Sequence, residues 1–121
     1  RKAVSTTIRD YKVDYWTGTV YSTNRRVWEH DEKFKAYLQD VRAYAVDMET
    51  ATVFTVGFYN KIPTRAFLLV SDQPMTPDGV KTAASDKKVT SKYVDVHLKI
   101  GIDSLRQLMN NGLTVRHLKF L

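Results

Sequence analysis

The sequence of 121 residues contains no cysteine. That excludes disulfides and thiolate metal sites, and it suits a reducing compartment, so a cytoplasmic location is expected. No apolar run approaches the roughly 20 residues needed to span a membrane. The opening Arg1-Lys2-Ala3-Val4-Ser5 has no apolar core of signal-peptide length. There is no internal repeat and no low-complexity stretch. No block of consecutive Lys or Arg is longer than two. A nucleic-acid-binding module would rest on a continuous basic face, and the sequence offers none of its local signals.

What is present is globular in kind. Apolar residues make up 43% and aromatics 12% of the chain, enough for one small domain. The formal net charge is +6 and unevenly spread. Residues 1–45 carry 9 basic and 6 acidic side chains, residues 46–80 carry 2 and 4, and residues 81–121 carry 8 and 3. An acidic, apolar middle thus lies between two basic segments. The plain account of the basic segments is a solvated lysine-rich surface; a positive field also suits a phosphorylated ligand.

Val13 to Ser22 reads as a strand from its Val, Tyr, Trp and Thr content. Gly18 within it predicts a bulge or a close backbone approach. Asp31 is placed to cap a helix to about Arg42, with Phe34, Tyr37, Leu38 and Val41 on one face. Ala43 to Val46 is a short strand, and Asp47 opens a second helix that reaches about Tyr59 before Asn60 and Pro63 stop it. Ala66-Phe67-Leu68-Leu69-Val70 suits a strand covered on both faces. The loop Ser71–Ala84, with Pro74, Pro77 and Gly79, is long, as functional loops often are. A long helix spans Ser85 to Met109. One of its stripes is Val89, Tyr93, Val96 and Ile100; a neighbouring one is Leu98, Ile102, Leu105 and Met109. Asn111-Gly112 ends it, and Leu113 to Phe120 forms a last edge strand. The alternation argues an α/β layered fold. Three probable strands are few for a sheet covered on both faces, so a piece of a larger domain is expected.

Two places carry chemistry. Val46-Asp47-Met48-Glu49-Thr50-Ala51 sets two carboxylates at a strand-to-helix junction, with Glu49 in the first helical turn, where the helix dipole favours an anion. An acidic first turn is also common without any function. Val70-Ser71-Asp72 sets an acid just beyond an apolar strand, where ligands of open α/β sheets bind. An Asp there is also an ordinary loop opener. His30, His97 and His117 show no metal-ligand spacing, so they read as structural, and no metal or other cofactor is expected. Trp16 and Trp28 read as core or interface residues; base stacking by Trp28 is the alternative.

Taken together, the Met48-Glu49 pair at a helix start and Ser71-Asp72 at the end of the next strand, 23 residues on from Glu49, resemble the signature of the nucleoside phosphorylase family. Residues 18–31, 71–81 and 97–103 look like its AMP nucleosidase branch, and this closer resemblance covers nearly the whole chain. It implies the C-terminal half of one nucleoside phosphorylase-like catalytic domain over residues 1–121, with a central mixed or parallel sheet flanked by helices. The glycine-rich loop of the family's first half does not precede Arg1, so the missing N-terminal half is itself an expected partner. The implied assembly is a homo-oligomer, a hexamer by resemblance, with no membrane or nucleic-acid partner.

By the same resemblance, Glu49 accepts hydrogen bonds from the ribose 2′- and 3′-hydroxyls, Met48 packs against the sugar, and Val46 lies near the base. Asp72 donates a proton or hydrogen bond to purine N7. The implied reaction is hydrolysis of AMP to adenine and ribose 5-phosphate, part of purine nucleotide salvage, with phosphate or ATP as regulators. Alternatives are a phosphorylase or nucleosidase of the same superfamily acting on unphosphorylated nucleosides, or a non-catalytic basic module. The residue types suit the chemistry. Cleaving an N-glycosidic bond builds positive charge on the ribose and negative charge on the purine. An acid at N7 must hold a proton when it acts, and burial or bound substrate keeps a carboxyl protonated. A carboxylate beneath the hydroxyls orients the sugar and suits its developing charge. Arg25 and Arg26 follow the first strand. Either is a candidate for the 5′-phosphate, which Arg recognises bidentately, and either is equally a surface or subunit-contact arginine. Lys81, Lys87 and Lys88 lie beyond Asp72, and the resemblance does not choose among them as an aid to the acid.

Overall fold

A computed structural model gives the architecture of residues 2–77, 79 and 82–110. The chain runs α1 (Lys2–Asp10), β1 (Thr19–Ser22), a 3₁₀ turn (Trp28–His30), α2 (Glu32–Asp40), β2 (Ala43–Asp47), α3 (Thr50–Tyr59) and α4 (Ala83–Asn110). The two strands pair in parallel, with Tyr21 beside Val46 and Ser22 beside Asp47. This is an α/β arrangement with a small parallel sheet and helical connections.

β1 is shorter than the strand expected from Val13. Regular pairing begins only at Thr19, and the register slips between Thr19 and Val20. Gly18 explains the slip. A Cβ there would sit 2.3 Å from Cδ2 of the Tyr44 ring, so the ring crosses the backbone where only glycine leaves room. Both readings of Gly18, irregularity and close approach, hold.

α2 is built as its sequence dictates. The Asp31 carboxylate accepts the Phe34 N–H at 3.0 Å and caps the helix. Phe34 and Leu38 are buried. Tyr21 meets Phe34 edge-on at 5.6 Å and Tyr37 at 5.8 Å, and Trp28 meets Phe34 at 6.1 Å. This aromatic cluster fastens α2 and the 3₁₀ turn to β1. It also gives Trp28 a packing role. The helix ends at Asp40, two residues before the expected end, because Arg42 takes a left-handed backbone with φ of 52°.

A second core joins α1 to α4. α1 has no counterpart among the expected elements, because its Ser5-Thr6-Thr7 run has weak helix propensity and its apolar stripe is short. Packing supplies what propensity does not. Ala3, Thr7 and Ile8 are buried against Ile100, which is 1% exposed, and Ser104. The two buried hydroxyls bond back to their own helices, Thr7 to the Ala3 carbonyl at 3.0 Å and Ser104 to the Ile100 carbonyl at 2.7 Å. Tyr11 Oη donates to Asp103 Oδ2 at 2.6 Å, and Arg106 pairs with Asp103 at 3.0 Å. The Tyr11 bond raises the phenol above its ordinary value and lowers the Asp103 carboxyl.

Two expected features are corrected. Residues 66–70 form no strand: none of the described residues pairs with them, and a parallel strand needs a neighbour to bond to. Leu68, Leu69 and Val70 are exposed, not covered on both faces. The second stripe of α4 is exposed too, Met109 at 81%, because the helix turns His97, Ile100 and Ser104 inward instead. The Asn111-Gly112 stop and the strand over 113–120 lie outside the described residues. Among the described residues no helix is long and apolar enough to cross a membrane.

Replacing Ile100 by Ala in the polypeptide that carries this chain should lower its unfolding free energy by about 2–5 kcal/mol, the usual effect of emptying a buried aliphatic site. Denaturant titration measures it. Tyr11→Phe should lower the melting temperature near neutral pH. The Asp103 part of that stabilisation is present above the ordinary carboxyl value of 3.8 and is lost as the pH falls through the lowered one.

Candidate functional site

The carboxyl ends of β1 and β2 lie on one edge, because the strands are parallel and Ser22 is in register with Asp47. The Thr23 N–H donates to the Asp47 carbonyl at 2.8 Å and extends the pairing by one step. Two candidate segments leave this edge together: the loop carrying Arg25 and Arg26, and the Met48-Glu49 connection into α3. Such an edge is where ligands of parallel α/β sheets bind.

The helix after β2 begins later than expected. Asp47 is the last residue of the strand, and its Oδ2 accepts the Thr50 N–H at 2.8 Å, so it does cap the helix from outside. Glu49 stands at the N-cap position rather than in the first turn, and its side chain caps nothing. Its carboxylate is exposed and, among the described residues, takes only a long bond, 3.3 Å, from the Met48 N–H. Met48 is exposed as well, and Val46 is half-buried in the strand.

Ser22 was not singled out by sequence reasoning, and it does more here than any candidate. Its Oγ accepts the Ala51 N–H at 2.9 Å and donates to Asp47 Oδ1 at 2.5 Å. No local signal marks it, since its partners lie 29 and 25 residues away.

The two arginines differ. Arg25 bonds Asp31 Oδ2 at 2.9 Å, and its guanidinium lies 4.9 Å from the centre of the Phe34 ring. The cap, the ion pair and the ring thus hold Arg25. Arg26 is exposed and has no hydrogen bond or ion pair among the described residues.

Asp72 is half-buried, and the Ser71 hydroxyl donates to its Oδ1. The loop after it closes on itself. Gln73 N–H donates to the Gly79 carbonyl at 3.0 Å and Thr76 N–H to the Gln73 carbonyl at 2.9 Å. A Cβ on Gly79 would stand 1.8 Å from the Gln73 carbonyl oxygen, so the closure needs glycine. Met75 rests beside Glu32, Lys35, Ala36 and Gln39 on α2. The segment before Asp72 is anchored from the other side. Phe67 stacks on His97 of α4, ring centres 4.3 Å apart. His97 thus has the structural role expected of it. Lys81 and His117 lie outside the described residues.

Parallel strands with helical connections, and an acid-bearing turn at their carboxyl edge, define part of an α/β domain of the kind that binds ligands at that edge. A family model described as the Phosphorylase superfamily matches residues 1–106, and the chain belongs to that superfamily. It is 33% identical over 97 residues to the AMP nucleosidases of Escherichia coli K12 and O157:H7, covering 79% of this chain and 20% of those proteins. It is similar, at 55% identity and a TM-score of 0.73, to the crystal structure of AMP nucleosidase from Bacteroides thetaiotaomicron VPI-5482. That match covers 91% of this chain and 43% of the other. The chain therefore spans less than half the length of these relatives.

The His97 contact sets a pH dependence. Burial lowers its pKa below the ordinary 6.5, against a smaller opposite effect of a hydrogen bond to the Phe67 backbone. The fold thus favours the neutral ring. Its contribution is complete above about pH 6.5 and is lost as the pH falls through the lowered value. The hydrogen-exchange protection of residues 66–72, measured against the intrinsic rate at each pH, should fall over that range, and His97→Gln should flatten the dependence.

Proposed function

We propose that this chain is the C-terminal part of a catalytic domain that hydrolyses AMP to adenine and ribose 5-phosphate. The observation that carries the reading is the shared carboxyl edge. The exposed Met48-Glu49 turn and the loop of Arg26 both leave that edge, which suits a ligand with a sugar and a 5′-phosphate side by side. The similarity to AMP nucleosidases supports AMP as the substrate.

Glu49 holds the ribose hydroxyls, with Met48 against the sugar and Val46 toward the base. Its unspent carboxylate oxygens suit two hydroxyl donors and the cationic sugar of the transition state. Asp72 is the acid at purine N7. The half-buried setting and the closed loop behind it suit a group that must approach the base without solvent around it. Arg26 takes the 5′-phosphate, since its guanidinium has no hydrogen bond or ion pair among the described residues whereas Arg25 is engaged by Asp31 and Phe34. Water attacks the sugar carbon. The remaining strands of the domain cover Leu68, Leu69, Val70 and the apolar faces of α3. Homo-oligomeric assembly, a place in purine salvage and control by phosphate or ATP follow from the family resemblance, and a cytoplasmic location follows from the absence of cysteine.

The test uses the full-length polypeptide. Adenine should be released from AMP without added phosphate; strict phosphate dependence would mean a phosphorylase instead. Asp72→Asn should lower kcat by roughly 10²–10⁴-fold with little change in AMP affinity, because the proton matters mainly in the transition state. Arg26→Ala should raise KM for AMP while leaving any cleavage of adenosine unchanged. Equal losses on both substrates would sink the phosphate assignment.

A further inference from the structure

We infer that Ser22 and Asp47 are positioning residues for Glu49, acting as one hydrogen-bonded joint between the end of β1 and the start of α3. The inference rests on the reading of Glu49 as the ribose contact.

Met48 and Glu49 are the only residues between β2 and α3. The Glu49 side chain itself makes one long bond, to its neighbour's backbone. Among the described residues nothing it touches fixes its place, so its position is inherited from the two ends of the turn. Asp47 fixes the near end. One oxygen accepts the Thr50 N–H at 2.8 Å, and the other takes the Ser22 proton at 2.5 Å. Ser22 fixes the far end by accepting the Ala51 N–H at 2.9 Å. The Ser22 hydroxyl has one proton and spends it on Asp47, which leaves its lone pairs for the helix N–H. The polarity of the joint is therefore set: a carboxylate at 47 and a hydroxyl at 22 match, and an amide or a methyl does not. Both residues are half-buried, where such bonds are better shielded from water. The same Ser22 precedes the loop that carries Arg26, so the joint also sets the distance between the two contacts proposed for the sugar and its phosphate.

An error of about 1 Å in a substrate-holding group can cost on the order of 10²-fold in rate. Ser22→Ala in the full-length enzyme should thus lower kcat/KM for AMP by about 10- to 100-fold. Ser22→Thr keeps a hydroxyl and should recover most of it. The deciding readout is a double-mutant cycle with Glu49→Gln. If Ser22 acts through Glu49, adding Ser22→Ala to Glu49→Gln should cost little more than Glu49→Gln alone. Additive losses overturn the inference, as does normal turnover in Ser22→Ala beside an impaired Glu49→Gln. Normal turnover in Glu49→Gln overturns the site reading, and the inference with it. Should Ser22→Ala fail to fold by circular dichroism, Asp47→Asn decides instead. It keeps an oxygen for Thr50 but loses the acceptor for the Ser22 proton, and it should show the same coupling to Glu49→Gln.

Discussion

The short parallel pairing of Ser22 with Asp47 is the constraint on which the candidate site depends. A two-stranded pair is marginal in water without cover. Here the last rung is reinforced three times: by the Thr23 N–H on the Asp47 carbonyl, by the Ser22 hydroxyl on the Asp47 carboxylate, and by the Ala51 N–H on Ser22. These bonds tie two strand ends and one helix start into a single unit. The loop of Arg26 and the turn of Glu49 both leave from it. Without the rung, each would be an exposed segment with no fixed relation to the other.

The fold has two separate cores, and the first of them covers the strand pair. The aromatic group of Tyr21, Trp28, Phe34 and Tyr37 packs α2 onto β1, and the ion pair of Arg25 with Asp31 closes its rim. Ile8 and Ile100 hold α1 to α4. Between them much apolar surface is exposed. α3 is apolar nearly all round, the pattern of a helix buried on all sides, yet Val53, Val56, Phe58 and Tyr59 are exposed.

Local chemistry was legible wherever the interacting groups are close in sequence. Asp31 and Asp47 were read as caps and are caps, since a cap reaches only two or three residues along the chain. Gly18 marked its own irregularity. The long helix was placed to within two residues at its start and one at its end. The motif residues Val46, Met48, Glu49 and Asp72 were legible as a family pattern, and the pattern put Glu49 at the right junction. What failed was whatever needed a distant partner. α1 has poor propensity and exists because α4 lies beside it. Residues 66–70 have every property of a strand except a neighbour to bond. The burial of α4 follows the face that meets α1 and Phe67, and not the most apolar stripe.

The arginines show the same division at the level of single side chains. Sequence placed two guanidinium groups in one loop and could not separate them, because their difference lies in Asp31 and Phe34, five to nine residues away and brought back by the turn into α2. By itself the sequence determined the family, the caps and the strand-to-helix junction that carries Glu49, all of which are set by residue type and short spacing. Only the tertiary structure decided that Ser22 joins that junction, that Arg25 is engaged while Arg26 has no partner among the described residues, and which helix faces are covered. Those outcomes depend on groups 25 or more residues apart, or on a chain reversal, and a hydrogen bond has no signature in sequence until folding brings its two ends together.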